Sequence, residues 1–164
     1  MTQVRNASNL GITALTITTG APVVPDATGF VNLAAATDYF FMVGDADSTT
    51  QSVHVWCDGT IAGTFTLELC DFPLGLNFGT DVTDVTDFVP TTGANIGAWL
   101  PWVSTRYEVP VQAGSTNTNG SVVVVAGAAT GFMWRLPDMG AKRMRIRAVV
   151  TTPGSCRVGH HGKY

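Results

Sequence analysis

Residues 51–70 read QSVHVWCDGTIAGTFTLELC, and this stretch decides the fold. Val53, Val55 and Cys57 alternate with Ser52, His54 and Trp56, and the pattern repeats after a short interruption. There Phe65, Leu67 and Leu69 alternate with Thr64, Thr66 and Glu68. A period of two is that of a half-buried strand, because successive side chains leave opposite faces. Between the two runs stands Asp58-Gly59, a dipeptide that favours the tight turn of a hairpin, with residues 60–62 lengthening the loop. The segment predicts a β-hairpin over 51–70.

Working outward, residues 37–44 (TDYFFMVG) are a continuous apolar run with aromatics and predict a strand buried on both faces. Residues 142–151 place Met144, Ile146 and Ala148 on one face and Arg143, Arg145 and Arg147 on the other. Further strands are predicted over 106–112, at an edge because of Pro110, over 121–127 and 131–136, and as a short last strand over 155–160. Residues 10–18 alternate with a slip, the signature of a bulge or break. Residues 113–120 (AGSTNTNG) predict a polar loop, and residues 1–9 an N-terminal arm. Residues 71–105 carry Pro73, Pro90 and Pro101 among several glycines and predict a long insertion loop. No segment keeps a 3.6-residue period for three turns. The expectation is one all-β domain over 10–164, an antiparallel β-sandwich with about eight to ten strands.

Composition points the same way. The chain holds 23 Thr, 20 Val and 18 Gly but two Lys (Lys142, Lys163) and two Glu (Glu68, Glu108). β-Branched residues fit a pleated surface, and glycine punctuates turns. Charged residues are 13% and mean hydropathy is +0.22, yet no run approaches the roughly 20 apolar residues of a membrane helix. The start lacks a basic segment followed by an apolar one, so no signal peptide is expected. A surface poor in charge without a membrane span predicts buried interfaces, hence a homo-oligomer or a lattice. The three cysteines, Cys57, Cys70 and Cys156, match no zinc spacing and predict buried free thiols, with a Cys57–Cys70 bridge across the hairpin as the alternative.

Charge is unevenly distributed. Residues 1–100 hold one base, Arg5, and ten acids, and residues 101–164 hold eight bases and two acids. The halves differ in sign, which suits a head-to-tail neighbour unless the fold mixes them. Arg143, Arg145 and Arg147 form a ladder at spacings of about 6.6 Å, which Arg135 on the preceding strand would join. Like charges so close require an anionic cover. The ladder therefore predicts either a contact with another protein, with nucleic acid the lesser option, or pairing with upstream acids of the same chain. Trp99 and Trp102, beside Pro101, are an aromatic pair costly to leave exposed and join the interface candidates.

Other constellations point to no chemistry. Asp45, Asp47 and Ser48 supply part of a calcium loop without its glycine or distal glutamate, and Asp81, Asp84 and Asp87 are spaced three apart. His54 reads as a structural histidine, and His160 and His161 as part of a mobile tail. No nucleophile elbow, zinc-protease, phosphate-loop or dinucleotide motif occurs, so neither an enzyme nor a cofactor or metal site is expected.

Residues 120–163, GSVVVVAGAATGFMWRLPDMGAKRMRIRAVVTTPGSCRVGHHGK, resemble the ends of small β-rich virion proteins of tailed bacteriophages. A valine strand, a Gly-Ala turn, an aromatic strand, a G-A-K-R-x-R strand and a terminal glycine-lysine follow in that order. Residues 52–73, SVHVWCDGTIAGTFTLELCDFP, resemble their strand–turn–strand unit. The resemblance implies a capsid decoration (cement), head-fibre or tail and neck component. It implies a trimeric β-sandwich or jelly roll located in the virion, with the major capsid protein or other virion proteins as partners. It carries no site residues. A carbohydrate-binding module, using Trp56, Trp99, Trp102 and Trp134 as stacking faces, is the reading from a different class.

Overall fold

The structure, a computed structural model, describes residues 14–16, 22–45, 50–70, 100–101, 115–118, 121–137 and 143–163. Runs rich in valine, threonine and aromatics become strands, and no helix occurs among the described residues. The strands are β1 (Ala14–Thr16), β2 (Pro22–Val23), β3 (Val31–Leu33), β4 (Thr37–Asp45), β5 (Thr50–Cys57) and β6 (Ala62–Cys70). They continue with β7 (Leu100–Pro101), β8 (Ser115–Thr118), β9 (Ser121–Val124), β10 (Thr130–Pro137), β11 (Arg143–Thr152) and β12 (Gly154–Lys163).

They form two antiparallel sheets. The larger, sheet A, has the order β2-β1-β4-β11-β6-β9-β8, with β7 also pairing β6; the smaller, sheet B, has the order β10-β5-β12-β3. The inner faces meet in one core. Sheet A contributes Phe41, Val43, Phe65, Leu67, Met144, Ile146 and Ala148, and sheet B contributes Val53, Val55, Cys57, Phe132, Trp134 and Cys156. Phe132 joins the layers, edge-on to Phe65 of sheet A at 5.5 Å and to Trp134 beside it at 5.2 Å. Such edge-to-face pairs add to the stabilisation from burial itself.

The expected faces hold. β5 buries Val53, Val55 and Cys57, β6 buries Phe65 and Leu67, and β11 buries Met144, Ile146 and Ala148. In β4, Tyr39, Phe40, Phe41 and Val43 are all buried, as an apolar run without alternation requires.

Four expectations are corrected. Residues 51–70 are two strands but no hairpin, since β5 and β6 lie in different sheets. Both sides of β5 are taken, by β10 and β12, so β6 must cross to the facing sheet to place Phe65 and Leu67 in the shared core. Asp58-Gly59 turns the chain there. The Asp58 carboxylate accepts from Thr60 N at 2.9 Å and Thr60 Oγ1 at 2.7 Å, and Gly59 takes φ 93°. A Cβ at Gly59 would run into the backbone of Ala128 and Ala129, and Gly127 N donates to Gly59 O.

The expected polar loop over 113–120 contains β8, which pairs with β9, Thr118 opposite Ser121. The strand expected over 121–127 is shorter, four residues over Ser121–Val124, with one open face where Val123 is exposed. The terminal histidines lie in no tail: His160 pairs with Val53 and His161 with Ser52 within the ten-residue β12. The predicted strand over 106–112, the arm over 1–9, and the insertion over 71–105 apart from β7 lie outside the described residues.

Cys57 does not face Cys70. It stands directly opposite Cys156 across β5 and β12, and both are buried free thiols. Asp58 N donates to Ser155 O at 3.1 Å on the next pair. Cys57 and Cys156 therefore form a non-hydrogen-bonded pair, with Cα atoms about 4.5 Å apart.

Candidate functional site

The outer face of sheet A carries the arginine ladder, and the ladder is occupied. Arg145 lies directly opposite Glu68 of β6, and its Nε donates to Glu68 Oε2 at 2.6 Å. Both are buried, and the Arg145 guanidinium also lies 4.3 Å over the Phe40 ring of β4. Arg147 reaches diagonally to Asp38 of β4, donating from Nε at 3.1 Å and from Nη2 at 2.6 Å. Two of the three ladder cations are thus neutralised by upstream acids of the same chain, the alternative that the lopsided charge distribution offered. Arg143 pairs in register with Asp45 and Cys70, and its side chain lies outside the described residues. The row beyond Arg147 mixes polar and apolar side chains and begins at Asp38 of β4, which lies opposite Val149. Val149 of β11, Thr64 of β6 and Val123 of β9 form one row across three strands, and both valines are exposed.

Arg135 does not join the ladder. The strand that carries it, β10, belongs to sheet B, where Arg135 lies opposite Ser52. Its surroundings form a grid on the outer face of sheet B. One row is Gly131, Trp56, Arg157; the next is Met133, His54, Gly159; the third is Arg135, Ser52, His161. Three strands about 4.8 Å apart and residues two apart along each give a patch on the order of 10 by 13 Å.

Trp56 is 38% exposed at its upper edge, and Arg135, His54, Arg157 and His161 are exposed around it. No carboxylate belongs to the nine positions. The nearest acid along β5, Asp58, is engaged with Thr60. Among the described residues neither Arg135 nor Arg157 forms an ion pair; Arg157 lies 5.4 Å from the Phe30 ring.

The histidines respond to this field. Burial, then the charges of His161 and Arg135, hold His54 below the usual histidine range, and its Nε2 lies 3.3 Å from Ser52 Oγ. His160 points to the opposite face, where Nε2 is 2.9 Å from Gln51 Oε1; burial first and His161 second lower it too. Arg135 and Arg157 are the grid's permanent positive charges.

Sequence reasoning named Arg135 and missed Arg157, His161 and both glycines. Only Trp56 and His54 are close in sequence; the rest come from two other strands, and no local pattern announces the register that joins them. Trp99 and Trp102 lie outside the described residues, as do Asp47, Ser48, Asp81, Asp84 and Asp87. Among the described residues, no three His, Cys, Asp or Glu side chains are grouped to hold a metal ion. Trp134 is wholly buried, which leaves Trp56 as the exposed indole among the described residues. Two or more exposed coplanar tryptophans would favour a sugar-stacking platform, and two of the four candidates, Trp99 and Trp102, lie outside the described residues. Comparisons with protein-family models, curated proteins and solved structures find no match.

Proposed function

We propose that the chain is a virion structural protein that decorates and stabilises a tailed-phage capsid as a homo-oligomer. One observation carries this reading: the two outer faces differ in kind. Sheet A turns outward internally paired arginines and a Val149–Thr64–Val123 row, suited to packing against a sister copy. Sheet B turns outward Arg135, Arg157, His54 and His161 without a carboxylate among them, suited to an anionic neighbour. A protein that contacts both siblings and a shell needs two such surfaces.

The strand order supports the same class. In chain order, β3, β4, β5, β6, β9, β10, β11 and β12 give sheets ordered β3-β12-β5-β10 and β4-β11-β6-β9. First pairs with last, second with next-to-last, and so on inward, an order that supports reading the sandwich as a jelly roll. Jelly rolls recur in viral capsid and lectin domains. The likeness is one of architecture and adds weight only beside the faces.

The mechanism is linkage. A protein that binds the assembled shell and not its free subunits adds its binding free energy to the shell. Heads assembled without this chain and then incubated with it should gain surface density in negative-stain images and resist higher temperatures. Heads that gain neither contradict the proposal.

A further inference from the structure

Gly159 stands in the middle of β12, at an ordinary φ, where a Cβ would meet nothing within 4 Å. Neither backbone strain nor packing accounts for it. The contrast with Gly154 on the same strand is sharp, because a Cβ at Gly154 would collide with the Ile61 backbone. A glycine inside a strand often marks a bulge, a tight bend or a close approach of another backbone or ligand, and the β12–β5 register runs through Gly159 without a shift. Gly159 lies directly opposite His54, one row from Trp56 and Arg157 and one row from His161.

We infer that the outer face of sheet B is a docking site for a carboxylate-rich polypeptide segment, laid across β12 and β5 over Gly159. This inference rests on the assembly reading above and names the chemistry of the partner's surface. Arg157 and Arg135 sit at opposite corners of the grid and take carboxylates through their forked guanidinium donors. His54 and His161 lie between them and donate further hydrogen bonds. Trp56 supplies the apolar anchor, with Gly131 opposite it on β10 and Gly159 diagonal to it on β12 keeping the floor low.

Size and charge favour a polypeptide over nucleic acid. The patch spans on the order of 10 by 13 Å, a local contact and not a track for a polyanion. Nucleic-acid binders carry a basic balance and several stacking aromatics. This chain has a net charge of −3, and its described residues offer one exposed indole.

The test is a titration of the intact protein with a short poly-L-glutamate peptide at low salt, beside a single-stranded oligonucleotide of equal charge. The peptide should bind more tightly than the oligonucleotide. Arg135→Ser combined with Arg157→Ser should weaken the peptide by about tenfold or more and flatten its salt dependence. Gly159→Gln should weaken it similarly, with the thermal midpoint unchanged, and Arg147→Ser on sheet A should leave it within about twofold. Tighter binding of the oligonucleotide, no peptide binding, or equal binding by the double variant overturns the inference. Poly-glutamate binding with no binding to heads supports this site and refutes the virion reading, so the two failures are distinguishable.

Discussion

Arg145 and Glu68 face each other across β11 and β6, joined at 2.6 Å and both buried on the face of sheet A that points away from the core. A cation that appears in the sequence as one rung of an exposed ladder is thus an internal partner. Removing one member of a buried pair strands the other charge out of water. Arg145→Ser or Glu68→Gln should therefore cost about 3–5 kcal/mol in urea denaturation. Arg147→Ser should cost less than about 1 kcal/mol, because the Arg147 side chain is 43% exposed. Equal losses at the two positions contradict this assignment.

Acid should weaken the fold below neutrality. His54 and His160 titrate below their ordinary value in the folded chain, chiefly through burial. As pH falls through about 6.5, the unfolded chain takes up protons that the folded chain refuses. Stability is therefore complete above that value and declines as pH drops toward the folded pKa values. Thermal midpoints should fall between pH 7.5 and 5, and His54→Asn should reduce the slope. A midpoint that rises on acidification runs against the account.

The alkaline limb belongs to the cysteines. Burial, then Asp58, pushes the Cys57 thiol up to about 12, and Cys156 is raised well above its usual value by burial and its neighbour Cys57. Unfolded thiols lose their protons near pH 8.5, whereas the folded ones keep theirs. Stability is present below that pH and is lost as pH climbs from there toward 12. Replacing both residues with Ala should lower stability at pH 7 by leaving cavities, and should flatten the loss between pH 8.5 and 10. An unchanged alkaline slope in the double variant counts against it.

Two glycines on one strand separate structure from contact. Gly154→Ala forces a Cβ into the Ile61 backbone and the Thr60 hydroxyl, and should destabilise by about 2 kcal/mol or more. Gly159→Ala meets nothing and should leave stability unchanged or raise it by about 0.5 kcal/mol, since it narrows the unfolded ensemble. Circular-dichroism melts of the two variants decide. A large loss at position 159 means that packing explains its glycine.

The sequence disclosed what is local. Alternation along 51–57, 64–70 and 142–151 gave the buried faces of β5, β6 and β11, and the unbroken run at 37–44 gave β4. Pairing was not local. Asp58-Gly59 signals a reversal, but whether β6 returns beside β5 or crosses to the other sheet depends on β10 and β12, more than 70 residues away. β8 was hidden because STNT is polar. Its one clue was Asn119-Gly120, a two-residue turn signal before the valine strand. The ladder was legible as a row of charges, with pairing to upstream acids one of its two readings, but which acids pair was not, since Asp38 lies 109 residues from Arg147. The grid of sheet B needed three strands in register and could not be assembled from any one of them.

On the proposed function, sheet B, and not the arginine ladder of sheet A, meets the shell. Binding to heads that lack the protein, measured against salt for two variants, tests it most directly. Arg135→Ser with Arg157→Ser should lose about tenfold or more in affinity and most of the salt dependence, while Arg147→Ser binds as the parent does. Undiminished binding by the first variant, with loss in the second, would contradict the account.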